Sequence, residues 1–191
     1  IRIGNPYHSI REIITEHNVD LVVMGTHGTN NFTEALVGSN AEKVVRHADC
    51  PVVTLRQHVE NVDFDNIVFA TGLNDEDDTC MLVVRNFQTF FNAKIHVVRV
   101  NTPNNFEADR ISLPALKEYA EKCGFENYDT HVYNDVSEEE GIMHFAEMID
   151  ADMIAMATHG RTGFAHLLTG SIAEDVVNHA KRPVLTYILS K

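Results

Sequence analysis

The chain has 191 residues, 44% hydrophobic and 23% charged, which leaves room for one ordinary domain or two small ones around a sizeable core. A formal net charge of −13 argues against nucleic acid as a partner, because phosphate binding needs clustered Lys and Arg, but it leaves room for a nucleotide at a locally neutral site. No run approaches the roughly 18 apolar residues of a membrane span, the start Ile1-Arg2-Ile3-Gly4 is not a secretory signal, and Cys50, Cys80 and Cys123 lack metal spacing and fit free thiols of a reducing cytoplasm.

In chain order, Ile1 to Ile3 reads as the stub of a strand and Tyr7 to His17 as a helix. Asp20 to Met24 is a strand, followed by Gly25-Thr26-His27-Gly28, nine residues and Gly38-Ser39. A helix over Ser39 to Ala48 and a strand over Pro51 to Leu55 follow, then an acidic linker, Glu60 to Asp65. Asn66 to Thr71, an apolar run stopped by Gly72, reads as a buried parallel strand. The acids from Asp75 to Asp78 suit the first turn of a helix whose apolar face includes Met81, Val84, Phe87 and Phe91. Lys94 to Val100 is a strand, Ala108 to Cys123 a helix stopped by Gly124, and Tyr128 to Tyr133 an alternating strand. Ser137 with Glu138, Glu139 and Glu140 resembles a capping box opening a helix to Ile149. Asp152 to Ala157 is a strand, Ser171 to about Ala180 a helix, and Pro183 to Leu189 the last strand.

The chain repeats itself. Asp20 to Arg56 aligns without a gap on Asp152 to Ile188, an offset of 132, with 18 of 37 positions identical. Both copies carry Thr-His-Gly, nine residues, Gly-Ser, and later Ala-Glu-x-Val-Val-x-His-Ala-x-x-Pro-Val-x-Thr. The expected organisation is residues 1–57 as the C-terminal half of a first module, 58–64 as linker and 65–191 as a complete second module. The offset implies that about 67 residues of the first copy would precede Ile1 in an intact tandem protein. Alternating strands and helices predict a parallel sheet with helices on both faces, and a ligand crevice beyond the carboxyl ends of the strands. The half module should leave apolar sheet edge and helix face to be covered by a second chain or a retained fragment.

The loops carry the chemistry. Gly28 and Gly160 permit positive φ and close approach of a ligand. Gly38-Ser39 and Gly170-Ser171 open helices whose free N–H groups and dipole favour an anion such as phosphate, while the Ser hydroxyls can cap the helix instead. His27 and His159 recur at one loop position and suit fixing the loop, since neither has a second His at metal-ligand spacing. His47 and His179 sit near helix C-termini, where an imidazolium complements the dipole. No Walker-type lysine and no nucleophile elbow is present.

The pattern G-x2-G-x9-G-S after a strand, followed by a helix and a Pro-Val strand, resembles the universal stress protein family over nearly the whole chain. The resemblance implies a five-stranded parallel sheet of order 3-2-1-4-5 of the adenine nucleotide alpha hydrolase-like kind, pairing through the last strands (Pro51 to Leu55 and Pro183 to Leu189), and in one branch ATP binding. The residues implied for a nucleotide are Gly160, Gly170, Ser171, Ala157, Thr158, Thr71, Gly72 and Val100, with Gly25, Gly28, Gly38 and Ser39 in the first copy. Mg²⁺ is expected only with the nucleotide. Two departures stand out: Gly72 occupies the place of an Asp common in ATP-binding members, and Ala157 replaces the first loop glycine. The leading expectation is a cytoplasmic regulator, a homodimer or pseudo-dimer, that binds ATP or a related adenine nucleotide with little or no hydrolysis. The rival is a nucleotide-free dimerisation module of the same family that works through protein partners.

Overall fold

The computed structural model describes residues 4–26, 38–56, 63–73, 78–159 and 172–189. The half module contributes α1 (Pro6–His17), β1 (Val22–Gly25), α2 (Ser39–His47) and β2 (Val52–Leu55). The second module contributes β3 (Asn66–Ala70), α3 (Asp78–Phe91), β4 (Lys94–Asn101), α4 (Asp109–Cys123) and β5 (Tyr128–Asn134). It continues with α5 (Glu138–Met148), β6 (Met153–His159), α6 (Ile172–His179) and β7 (Val184–Leu189).

All the strands lie in one sheet of order β1-β2-β7-β6-β3-β4-β5. Within the second module this is the expected 3-2-1-4-5 order, with parallel pairs throughout. Among the described residues the sheet has seven strands rather than five, because the last strands of the two modules pair. β2 lies antiparallel on β7, with Val53 opposite Leu185 and Val52 and Thr54 opposite Thr186 and Val184. Val53 faces its own repeat equivalent, and Val52 and Thr54 each face the equivalent of the other, so the junction carries an internal pseudo-twofold. Two hydrogen bonds obey it: Thr54 Oγ1 donates to the Val184 carbonyl (3.3 Å) and Thr186 Oγ1 to the Val52 carbonyl (3.4 Å).

Strand alternation sorts the core into two layers. Val52, Val68, Ala70, Val98, Val100, Ile154, Met156 and Val184 face α2, α5 and α6. Val53, Ile67, Phe69, Ile95, Val97, Met153, Ala155 and Leu185 face α3 and α4. That second layer thins out under the half module, where Val23 of β1 is 58% exposed. β1 pairs only with β2 among the described strands.

Local signals explain the element ends. Ser137 accepts from Glu140 N–H and starts α5, Gly124 takes φ 72° and stops α4, and Asn5 accepts from Tyr7 N–H ahead of Pro6 to start α1. Cys50 and Cys123 are buried and lie outside any disulfide, and burial pushes the Cys50 thiol up. No helix among the described residues is long and apolar enough to cross a membrane.

Candidate functional site

In the second module β3 lies between β4 and β6, and the chain leaves it toward β4 before returning through β6. That reversal opens a crevice beyond the carboxyl ends of the strands, the usual ligand position in an open parallel sheet. β3 stops at Ala70, opposite Val98 and Met156, while β4 and β6 run three residues farther. Thr71 and Gly72 therefore floor a notch walled by the ends of β4 and β6. Thr71 is buried and its N–H donates to the Val98 carbonyl (3.0 Å). Its hydroxyl accepts from Leu73 N–H (3.0 Å), which holds Leu73 at φ 62° and turns the chain away.

Val100 occupies one wall. Its side chain is buried against α5: a Cβ added to Gly141 would come within 2.5 Å of Val100 Cγ1, so this helix needs glycine to lie so close. Backbone polar groups of alternate residues share a strand edge. Since the Val98 carbonyl meets Thr71 N–H, the N–H and C=O of Val100 face the same side, past the point where β3 ends. Ala157 and Thr158 lie on the opposite wall, paired with Tyr187 and Ile188 of β7. The structure thus brings Thr71, Gly72, Val100, Ala157 and Thr158 together at one crevice. Gly160, Gly170 and Ser171 lie outside the described residues, as do His27 and Gly28 of the first loop.

In the first-copy loop α2 begins at Ser39, as expected, and of the two roles left open for its hydroxyl the cap is not taken: Gly38 is the N-cap, with no side-chain cap bond. Gly38 is needed for proximity: its φ is −60°, its N–H donates to the Thr26 carbonyl (2.7 Å), and a Cβ there would approach that oxygen to 3.3 Å. Thr26 is buried and its N–H donates to the Leu55 carbonyl (2.9 Å), so Gly25, at the end of β1, and Gly38 are tied to the end of β2. Because β2 runs antiparallel to β7, this loop opens at the opposite edge of the sheet from the Thr71 crevice.

A second grouping escaped the sequence reading. His96 of β4 and Asp129 and His131 of β5 bring ligand-type atoms within 4.8 Å of one another. They sit near the amino ends of their strands, away from the crevice. Their signal in the sequence, two alternate residues on a strand and a third on its neighbour, requires knowing the strand register.

The model of the universal stress protein family matches residues 1–56 and 63–187. A universal stress protein of Synechocystis is 22% identical over 169 residues, covering 88% of this chain and 58% of that protein. The crystal structure of a universal stress protein from Archaeoglobus fulgidus is 21% identical, with TM-score 0.71, over 96% of this chain and 65% of that one. A universal stress protein solved in complex with cAMP is 19% identical, with TM-score 0.55, over 67% of this chain and 99% of that one. The chain spans less than two thirds of the length of the first two.

Proposed function

The chain belongs to the universal stress protein family, and from that premise we propose that it is a cytoplasmic regulatory module that binds ATP or a related adenine nucleotide. The observation that carries the reading is the notch beyond Thr71. There a strand ends early between two longer neighbours, and the N–H and C=O of Val100 face the gap. An amide–carbonyl pair of this kind suits the edge of adenine, which offers one acceptor and one donor side by side. Phosphates would extend toward Ala157, Thr158 and the loop with Gly160, Gly170 and Ser171, where the start of a helix offers N–H groups to an anion. Gly25, Gly28, Gly38 and Ser39 would serve the same end in the first copy. Any Mg²⁺ would come with the nucleotide. The cAMP bound by a structural neighbour supports an adenine ligand in this fold.

No Walker-type lysine stands near the loop sequence, so binding rather than phosphoryl transfer is the proposed activity. Binding would act through a shift of conformation or pairing. The β2–β7 pairing supports an internal pseudo-dimer in which both last strands are used within one chain. Two features favour the rival reading, a nucleotide-free interaction module. Gly72 supplies no carboxylate, and the Thr71 hydroxyl is engaged by Leu73 N–H.

Calorimetry with ATP and AMP separates the two. The expected outcome is one site per complete module, abolished by Gly170→Val. Absence of heat with this chain and with a protein carrying both complete modules would leave the rival standing.

A further inference from the structure

The His96–Asp129–His131 cluster has the features of a metal site rather than of a polar patch. Register places His96 opposite Asp129 and Val98 opposite His131, so the three side chains share the sheet face that α5 covers. His96 is buried, His131 half-buried and Asp129 exposed. His96 Nδ1 and His131 Nε2 stand 3.4 Å apart, with the ring centroids 5.5 Å apart. That separation is long for an N–H···N hydrogen bond. It matches the edge of a tetrahedral site, since two nitrogens about 2.0–2.1 Å from one ion lie roughly 3.4 Å apart.

The surroundings fix the rings as ligands are fixed. His96 Nε2 lies 3.1 Å from Asn66 Oδ1; with that nitrogen donating to the amide oxygen, Nδ1 would turn its lone pair toward His131. Asn66 is anchored in turn, its backbone N–H donating to Asp152 Oδ2 (2.8 Å). The His131 ring packs against Phe145, centroid to centroid 4.9 Å. Asp129 pairs with Lys94 Nζ through Oδ2 (2.6 Å), and its exposure leaves the solvent side for a water ligand.

We propose that His96, Asp129 and His131 form a binding site for a single divalent transition-metal ion of the zinc type, with water completing a tetrahedron. Two imidazoles and one carboxylate suit Zn²⁺ or Co²⁺ and do not suit the all-oxygen preference of Mg²⁺. The site is distinct from the nucleotide crevice: Val100 lies four residue steps beyond His96 on β4, about 13 Å along the strand. It would fasten β4 to β5 at the edge of the sheet.

The test uses the metal-free 191-residue chain titrated with Co²⁺, followed by visible absorption, and with Zn²⁺ by calorimetry. One equivalent should bind with the intense absorption of tetrahedral Co²⁺, displaced by Zn²⁺. Asp129→Ala alters an exposed carboxylate and His131→Asn a half-buried ring, and each should weaken binding at least tenfold. His144→Gln, at another exposed imidazole, should leave it unchanged. Circular dichroism establishes that each variant is folded. Absence of the one-equivalent site, or a loss below tenfold in either Asp129→Ala or His131→Asn, overturns the proposal.

Discussion

The two modules descend from one sequence pattern, yet they are stabilised differently. The second module closes both faces of its part of the sheet, with α3 and α4 on one side and α5 and α6 on the other. The half module closes one face with α1 and α2 and leaves Val23 largely exposed on the other. It depends on its partner along β2 and β7. The chemistry is divided the other way: the half module keeps the unaltered glycine motif of Gly25 and Gly28, while the complete module carries Ala157. An intact loop motif therefore says little about where a ligand can be held. Under the proposed reading a purine would lie beyond a shortened strand flanked by two longer ones, an arrangement that, among the described residues, the second module supplies.

The largest expected effect comes from breaking the junction. Val53 and Leu185 face each other across it, 4% and 2% exposed. Val53→Asp puts a carboxyl into that contact without a partner, at a cost of at least about 3 kcal/mol. The half module has the fewest other contacts, so urea unfolding should split into two transitions. The early one belongs to residues 1–57 and the later one to residues 65–191. A single transition at the wild-type midpoint would show that the halves are not unequal in the way described.

Much of this comparison was legible in the sequence. The offset of 132 placed Val52, Val53 and Thr54 on Val184, Leu185 and Thr186, and element ends followed from Ser137 and Gly124. The order of the complete module was also as expected. Two things were not legible, for one reason. That Gly38 takes the cap position of α2, where the sequence left the role of Ser39 open, depends on a carbonyl of Thr26 arriving from the far side of the loop. The His96–Asp129–His131 grouping depends on the register of β4 with β5. Both are contacts between segments far apart in sequence, which local spacing does not encode.

A smaller effect tests the asymmetry of the α2–α6 contact. Arg46 forks onto Glu174, its Nε donating to Oε1 at 2.8 Å and a terminal nitrogen to Oε2 at 2.5 Å, and also reaches Glu42 at 3.0 Å. The carboxylate of Glu174 raises the Arg46 pKa against the effect of burial. The repeat equivalent of Arg46 is Asn178, so the mirror-image fork to Glu42 is not made. The Arg46 side chain is a third exposed, so screening trims the pair, and Arg46→Gln should cost about 1 kcal/mol. Asn178→Arg should return a few tenths, because Glu42 is more exposed than Glu174. Denaturant midpoints of the two variants check the order; equal and opposite shifts would mean that exposure does not govern the contact.

The smallest effect belongs to the second module alone. His144 on α5 meets Asp135 at the end of β5, Nδ1 to Oδ2 at 2.8 Å. Their repeat equivalents are Glu12 and Ile3, which cannot form such a pair. The hydrogen bond to Asp135 raises His144 above the ordinary imidazole range, and the bond to His144 holds Asp135 below the ordinary carboxylate range. The sign follows for each partner. A raised histidine lends stability fully below its unfolded pKa and loses it as pH rises through the folded value. A depressed aspartate lends stability above its unfolded pKa and loses it as pH falls through the folded value. Their contribution is therefore greatest in mildly acidic solution, where both are charged, and fades above neutrality and again in strong acid. His144 is solvent-exposed, so the effect is small and salt-sensitive. Thermal unfolding of wild type minus His144→Gln, followed against pH at low salt, should trace that single hump. In Val53→Asp the hump should appear in the later transition only. Its appearance in the earlier one would place the pair in the wrong module.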